Sequence, residues 1–548
     1  MTTTEAAAEP GAPRMRGPAP ALHRPWCPQG TSAVDRAYDA PCPEAHRRFV
    51  LAATILGSAM AFIDGTVVHI ALPAIQSSIN ASFGELQWVV NIYTLLLGAL
   101  ILVGGALGDR LGRRRVFMAG IALFAVASAL CGLAPGPLSL IAARALQGIG
   151  GALLVPQSLA IIAASFPKEQ RGRAIGLWAG FAALTTALGP VLGGAFIDLL
   201  SWRAVFWINL PIAAVTLWLS ARYVPESRDD GAATTLDLPG TALVVLGLGA
   251  LTYGLTAWPN GGLANPVVAG ALIAGTLALI GFVIVEARSR APMMPLSLFR
   301  SARFSAANLI TLFLYFALSG MLFLVPFNLI QLQGYSALET GMALLPFGLV
   351  MGLFSSLAGR LIDMVGPRLP LVIGPLIVAA ACAGLGWTGL NGGYWSGVFG
   401  PILMLAIGLT ISVAPLTTAV MNAVPESDAG VASGVNNAAS RLAGLIAVAV
   451  VGALAAALFA RGLQAGLADL AVNPDVVATM LAGARDLAGV GIPPDLAPDT
   501  VAAIKTLIGD SFLDGFRASM AVSATCASLA ALTALIFLRS HSPKSQAD

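Results

Sequence analysis

The chain has 548 residues, of which 57% are hydrophobic and 10% charged, and its mean hydropathy is +0.82. Soluble domains carry roughly 25% charged residues, so the composition excludes a water-soluble globular protein and reads as one that crosses the bilayer many times. The formal net charge of +3 forms no basic patch outside the loops, which excludes nucleic acid as a partner; five cysteines without regular spacing point to neither a disulfide framework nor a zinc site.

Residues 1–48, rich in Ala, Pro and Arg and without an apolar signal-peptide core, read as a disordered tail. A bilayer-crossing helix needs about 20 apolar residues. Fourteen stretches qualify: 49–72, 86–107, 116–134, 139–163, 174–197, 203–223, 239–258, 266–286, 305–330, 341–361, 370–389, 396–420, 434–460 and 517–538. An even number puts both termini on one side. The tails and the alternate loops that share their side carry 23 Lys and Arg, against five on the other. Basic loops stay in the cytoplasm, so both termini are expected there, in a plasma (inner) membrane. The 461–516 segment is expected to lie outside as a long loop holding two short amphipathic helices. Arg441, early in the thirteenth span, reads as snorkelling at the cytoplasmic mouth.

Asp64 and His69 stand inside the first span, and Arg144 inside the fourth. The first span runs outward, which puts Asp64 roughly 12 Å below its outer end; the fourth runs inward, which puts Arg144 roughly 8 Å below the same edge. Charges at one depth can pair, and charges in hydrocarbon need such partners. His69 falls about 140° round the helix from Asp64 and so on another face. It reads as a buried neutral histidine donating to an oxygen rather than as a relay.

The loop after the second span reads GALGDRLGRRR, and the loop after the tenth reads GRLIDMVGPRL. Gly105, Leu107, Asp109, Gly112 and Arg114 match Gly359, Leu361, Asp363, Gly366 and Arg368 at a constant offset of 254 residues, or eight helices. Internal repetition marks many transporters. A six-helix unit repeated after eight helices predicts a bundle over 49–223, an inserted pair with linkers over 224–304 and a second bundle over 305–538, followed by a cytoplasmic tail at 539–548.

Four stretches resemble signatures of the major facilitator superfamily, and more narrowly of its fourteen-span drug:proton antiporter branch. GALGDRLGRR resembles the signature between helices 2 and 3. LIAARALQGIGGA (140–152) resembles that of helix 4, with Arg144, Gln147, Gly148 and Gly150 in place. GLWAGFAALTTALGPVLGG (176–194) resembles the antiporter signature of helix 5 through Gly176, Gly189, Pro190, Gly193 and Gly194, with Thr185 where the pattern has glycine. DGTVVHIALPAI resembles the helix-1 signature, with His69 where Asn is usual. The resemblance covers nearly the whole chain from about residue 48. It implies an all-α polytopic fold of two six-helix bundles plus two inserted helices, acting as a monomer.

The resemblance also assigns roles. Asp64 and Arg144 would couple to protons. Burial disfavours an ionised carboxylate and a nearby guanidinium favours it, so a distance that changes between states changes the proton affinity. A purely structural ion pair is the other reading. Gly105, Asp109, Arg110, Gly112 and Arg113, with Asp363, Gly366 and Arg368, would form an inner gate in which Asp109 latches across the domain boundary; a plain topogenic loop is the alternative. The small residues of helix 5 would form a tight domain interface. Apart from the resemblance, Asn91, Tyr93 and Asn328 are polar groups on spans or their ends and, with Gln147, are candidate cavity residues.

The chain carries no phosphate-binding Gly-x4-Gly-Lys-Ser/Thr loop, and no cofactor or metal is expected. The expected activity is export of amphipathic drugs, antibiotics or metabolites driven by the proton gradient, with small-molecule substrate, protons and lipid as partners. An exporter of amino acids or another polar metabolite, and a non-transporting membrane sensor, are the alternatives; no catalytic constellation points to an enzyme.

Overall fold

A computed structural model describes residues 44–228, 237–289, 292, 294–387, 393–425, 429–470, 472–493 and 496–538. Hydrocarbon leaves a backbone no hydrogen-bonding partner but itself, and the described spanning segments are accordingly helical. In chain order they are α1 (Glu44–Ile79), α2 (Phe83–Leu111), α3 (Arg113–Leu133), α4 (Pro137–Ser165), α5 (Lys168–Leu199), α6 (Ala204–Tyr223), α7 (Leu238–Ala257), α8 (Pro266–Arg288), α9 (Ala302–Phe327), α10 (Ala337–Val365), α11 (Arg368–Trp387), α12 (Phe399–Met421), α13 (Ala429–Asp469) and α14 (Pro498–Phe537). Local chemistry sets several starts. Ser82 and Glu85 form a reciprocal capping box on α2, Pro137 opens α4, and the Ser301 side chain caps α9. A π turn, Asn328–Leu332, extends α9, and another, Tyr394–Val398, leads into α12.

Two bundles follow from the packing. In the first, α1 packs on α4, α5 and α6, α4 on α2 and α3, and α3 on α6. In the second, α9 packs on α12, α13 and α14, α12 on α10 and α11, and α11 on α14. Adding eight to each helix of the first list gives the second, so the sequence repeat is also a spatial one. The bundles meet where α5 packs on α10 and α2 on α13, a pair of contacts that the same rule exchanges. The inserted helices α7 and α8 pack on each other, and α7 reaches α2 and α13.

Some boundaries differ from the sequence expectation. The first helix already begins at Glu44, inside the presumed tail; residues 1–43 and 539–548 lie outside the described residues. The expected 461–516 loop shrinks, because α13 runs on to Asp469 and α14 starts at Pro498. Of the two amphipathic helices expected there, the first exists as Pro474–Gly483, while the second is the opening of the 40-residue α14. Small residues explain the extension. Gly462 and Gly466 face Ser511 and Leu507, and Gly515 lies on the Ala455 backbone, so α13 and α14 stay paired past the apolar zone.

Candidate functional site

A buried polar cluster joins α1, α2, α3, α4 and α6 in the half of these helices away from the basic loops. Arg144 is 1% exposed and Asp64 is fully buried. Arg144 Nη1 donates to Asp64 Oδ2 at 2.5 Å and to Gln147 Oε1 at 2.7 Å, and its Nε donates to the Val89 carbonyl at 3.1 Å. Gln147 completes the bridge, since its Nε2 donates to Asp64 Oδ1 at 2.8 Å and to Ser128 Oγ at 2.9 Å. Asn209 Nδ2 also donates to Ser128, at 3.3 Å. The Tyr93 ring lies 4.2 Å from the guanidinium carbon, and the Tyr93 hydroxyl donates to the Ala61 carbonyl. Both carboxylate oxygens are thus held by donors, which is how a buried charge is made tolerable.

The structure therefore brings Asp64, Arg144, Gln147 and Tyr93 together. It leaves two other candidate cavity residues apart. Asn91 is fully buried with neither amide atom bonded, and Asn328 accepts from Gln333 at the far end of α9. His69 is separate from Asp64, as its helix angle requires. Instead of donating to an oxygen, it keeps a buried Nδ1 without a partner and presents its ring to Phe323, 6.4 Å away between centroids. Ser128 and Asn209 complete the cluster without any spacing signal, being lone polar residues in apolar runs.

At the basic face, Asp109 is bonded within its own loop, accepting from Arg113 Nε at 2.9 Å and Nη2 at 2.7 Å. The N-terminus of α3 is served by Glu226, which accepts from Arg114 N–H and lies 3.6 Å from Arg115 Nε. Gly112 has φ +107°, and Gly366, its counterpart in the repeat, has φ +71°, a region that favours glycine. A side chain at Gly112 would also strike the Glu226 carboxylate. Arg114 donates to the Val224 carbonyl at the end of α6, and its counterpart Arg368 donates to Leu535 near the end of α14. Gly105 is roomy, and Arg110 is exposed. The Asp363 side chain lies outside the described residues.

Helix α5 is divided. In the half away from the basic face, Gly189 meets Thr66 and Gly193 meets Val67 of α1, Gly194 lies on the Ala337 carbonyl of α10, and Gly341 of α10 lies on the Pro190 carbonyl. In the half near the basic face, Gly176 and Gly180 meet nothing within 4 Å, and Leu177, Phe181 and Leu184 are exposed, as are Leu353 and Leu357 of α10. Thr185 turns its hydroxyl back to the Phe181 and Ala182 carbonyls. Close glycine contacts join the two helices at one face, whereas the glycines nearer the other, Gly176, Gly180 and Gly352, meet nothing within 4 Å. Polar contacts reinforce the seal. Asp198 of α5 accepts the N–H groups of Ala337 and Leu338 at the start of α10, and Gln331 donates to Gln76, which in turn donates to the Asp486 carbonyl.

A sequence profile described as Major Facilitator Superfamily matches residues 54–448. The chain belongs to this superfamily. It is 33% identical over 505 residues to the tetracenomycin C resistance and export protein of Streptomyces glaucescens, covering 91% of this chain and 92% of that one. It is 36% identical over 396 residues to the cephamycin export protein CmcT of Amycolatopsis lactamdurans, covering 71% and 81%. Among solved structures, a bacterial homologue of the human lysosomal transporter Spinster, inward-facing and unoccupied, shares the fold with a TM-score of 0.63 at 20% identity, covering 91% of this chain and all of that one. As a major facilitator protein the chain is a multi-pass membrane protein and a secondary transporter rather than an enzyme. Among the described residues no group of three His, Cys, Asp or Glu is arranged to hold a metal ion.

Proposed function

We propose that this protein exports amphipathic drugs, antibiotics or related metabolites across the plasma (inner) membrane in exchange for protons, with Asp64 as the proton-carrying group and Arg144 tuning it. The observation that carries the proposal is the fully buried Asp64–Arg144 pair bridged by Gln147. An acid that changes charge during a cycle needs a partner that tolerates both forms. Arg144 stays protonated, and besides Asp64 it has the Val89 carbonyl, the Gln147 oxygen and the Tyr93 face. It keeps these when Asp64 gains a proton.

The direction follows from the arrangement. The distribution of Lys and Arg supports cytoplasmic termini, so the parted ends of α5 and α10 would face the cytoplasm. In that state Asp64 is ionised and held by Arg144, and substrate loads from the cytoplasmic side. Closure there and parting of α5 from α10 at the outer face would expose Asp64 to the acid exterior, where it takes up a proton as substrate leaves. Return to the cytoplasm-facing state releases the proton inward. The loop at Asp109 and Arg113 acts as the inner latch, forming a cross-domain contact only when the inner mouth is shut. The working unit is a monomer of two bundles, joined by the inserted pair and linkers of 224–304. Two relatives named for export of tetracenomycin C and cephamycin support an antibiotic-like cargo.

The test is uptake into inside-out vesicles with an acid interior, offered a lipophilic cation, a neutral antibiotic and an amino acid in parallel. Export coupled to protons predicts uptake of an amphipathic compound that disappears when the pH gradient is collapsed. Uptake of the amino acid alone, or uptake indifferent to the gradient, contradicts the proposal.

A further inference from the structure

Between the inserted helices and the bundles lies a cavity of about 450 Å³, walled by α2, α7, α8, α9 and α13. Its walls are largely apolar, with Leu95, Leu248, Leu279 and Phe282 among them, and among the described residues Arg441 is the one charged side chain that lines it. The volume lies in the range of small-molecule sites.

Arg441 is not at the cytoplasmic mouth. It packs against Gly98, where an added Cβ would sit 2.8 Å from the Arg441 Cβ. Gly98 is 15 residues from Phe83 and 13 from Leu111, the ends of α2. That puts Arg441 near mid-membrane, too deep for its side chain to snorkel to either surface. A cation there calls for a counter-charge. Among the described residues no ion pair or hydrogen bond engages its guanidinium, whereas Arg144 has three acceptors. The inserted pair offers no partner. Helix α7 contains no acidic residue, and Glu286 of α8 accepts the Met294 N–H near the basic face.

We propose that this cavity is a binding site for an amphipathic monoanion, its apolar body among the inserted helices and its anionic group on Arg441. The neighbouring Asn308, hydrogen-bonded to Asn436 and lining the same cavity, adds a polar rim. The anion is a free amphiphile such as a long-chain or aromatic carboxylate, or the phosphate of an anionic lipid. The site does not depend on a coupling role for Asp64.

The test uses the full-length protein in phosphatidylcholine nanodiscs and a diazirine-bearing hexadecanoic acid, with its methyl ester as the neutral twin. Photolabelled peptides are mapped by mass spectrometry. The proposal predicts labelling of cavity residues by the acid. Arg441→Gln lowers that labelling by about tenfold or more, the scale of a lost charge-assisted contact, and leaves the weak ester labelling unchanged. Ala438→Phe, which fills the cavity and keeps the charge, lowers both, and serves as the test if Arg441→Gln does not fold. A second arm adds phosphatidylglycerol: competition identifies lipid as the occupant, and its absence identifies a free amphiphile. Equal labelling by acid and ester, or labelling of the cavity undiminished in both variants, overturns the proposal.

Discussion

Replacing Asp198 should loosen the seal between α5 and α10. Its carboxylate accepts Ala337 N–H at 3.3 Å and Leu338 N–H at 2.8 Å, so a residue of one bundle caps the first turn of a helix in the other. A hydrogen bond to a charged group is worth about 1.5–3 kcal/mol and a charge at a helix N-terminus about 0.3–1 kcal/mol when exposed. One bond is long and the other lies at the surface, and Ser336 and Glu339 already form a reciprocal cap on the same turn. The lower end applies, about 1–2 kcal/mol, which shifts a two-state equilibrium by about 5- to 30-fold. Asp198→Ala should therefore raise the population parted at this face by that factor, and Asp198→Asn, which retains one acceptor, by less. Spin labels at the exposed Leu199 and Trp395, in a background without other reactive cysteines, read the separation of the bundles at this face. Identical distance distributions in wild type and Asp198→Ala would refute the idea that this cap biases the two states.

Other substitutions should separate the parts of the machinery. Gly194→Val sets a side chain into the Ala337 backbone and should abolish transport while detergent-extracted protein retains its melting profile; Gly176→Ala, with open space around it, should keep more than half the wild-type uptake. Gln147→Leu removes the donor to Asp64 Oδ1 and an acceptor of Arg144, a loss of about 1.5–3 kcal/mol at a buried charge; gradient-driven uptake should fall at least tenfold, and wild-type rates would count against the bridge. Glu226→Gln weakens the cap on α3 and its pairing with Arg115, at about 1 kcal/mol. It should lower the melting midpoint by about a degree or two with little change in transport.

Much of this was legible because membrane helices obey simple arithmetic. Counting residues from helix ends put Asp64 and Arg144 at one depth, and the structure has them bonded. The repeat was readable because the loop needs glycine at a positive φ in both halves, at Gly112 and Gly366, and an arginine reaching a helix end, at Arg114 and Arg368. Residues that work alone were not readable. Glu226, Asp198 and Ser128 are single polar residues whose partners lie 112, 139 and 19 residues away, and nothing in their own neighbourhood marks them. The depth of Arg441 is hidden in the sequence for a related reason. Charge near the start of an apolar run ordinarily means snorkelling, but α13 begins at Ala429, before the hydrophobic stretch, and carries the arginine to mid-membrane. The helices flanking the outer segment outrun their hydropathy, because hydropathy ends where the bilayer ends while glycine-mediated pairing of α13 and α14 does not.

In the proposed cycle Asp64 carries the proton that is exchanged for substrate. Asp64→Asn keeps the size of the side chain and an acceptor for Arg144 but cannot change charge. It should be compared with wild type in inside-out vesicles by two measurements: uptake driven by an acid interior, and counterflow of labelled against unlabelled substrate without any gradient. Asp64→Asn should lose gradient-driven accumulation and retain counterflow, since substrate still binds and the bundles still alternate. Gradient-driven accumulation at the wild-type level in Asp64→Asn would contradict it and leave the pair with Arg144 as a helix-packing contact.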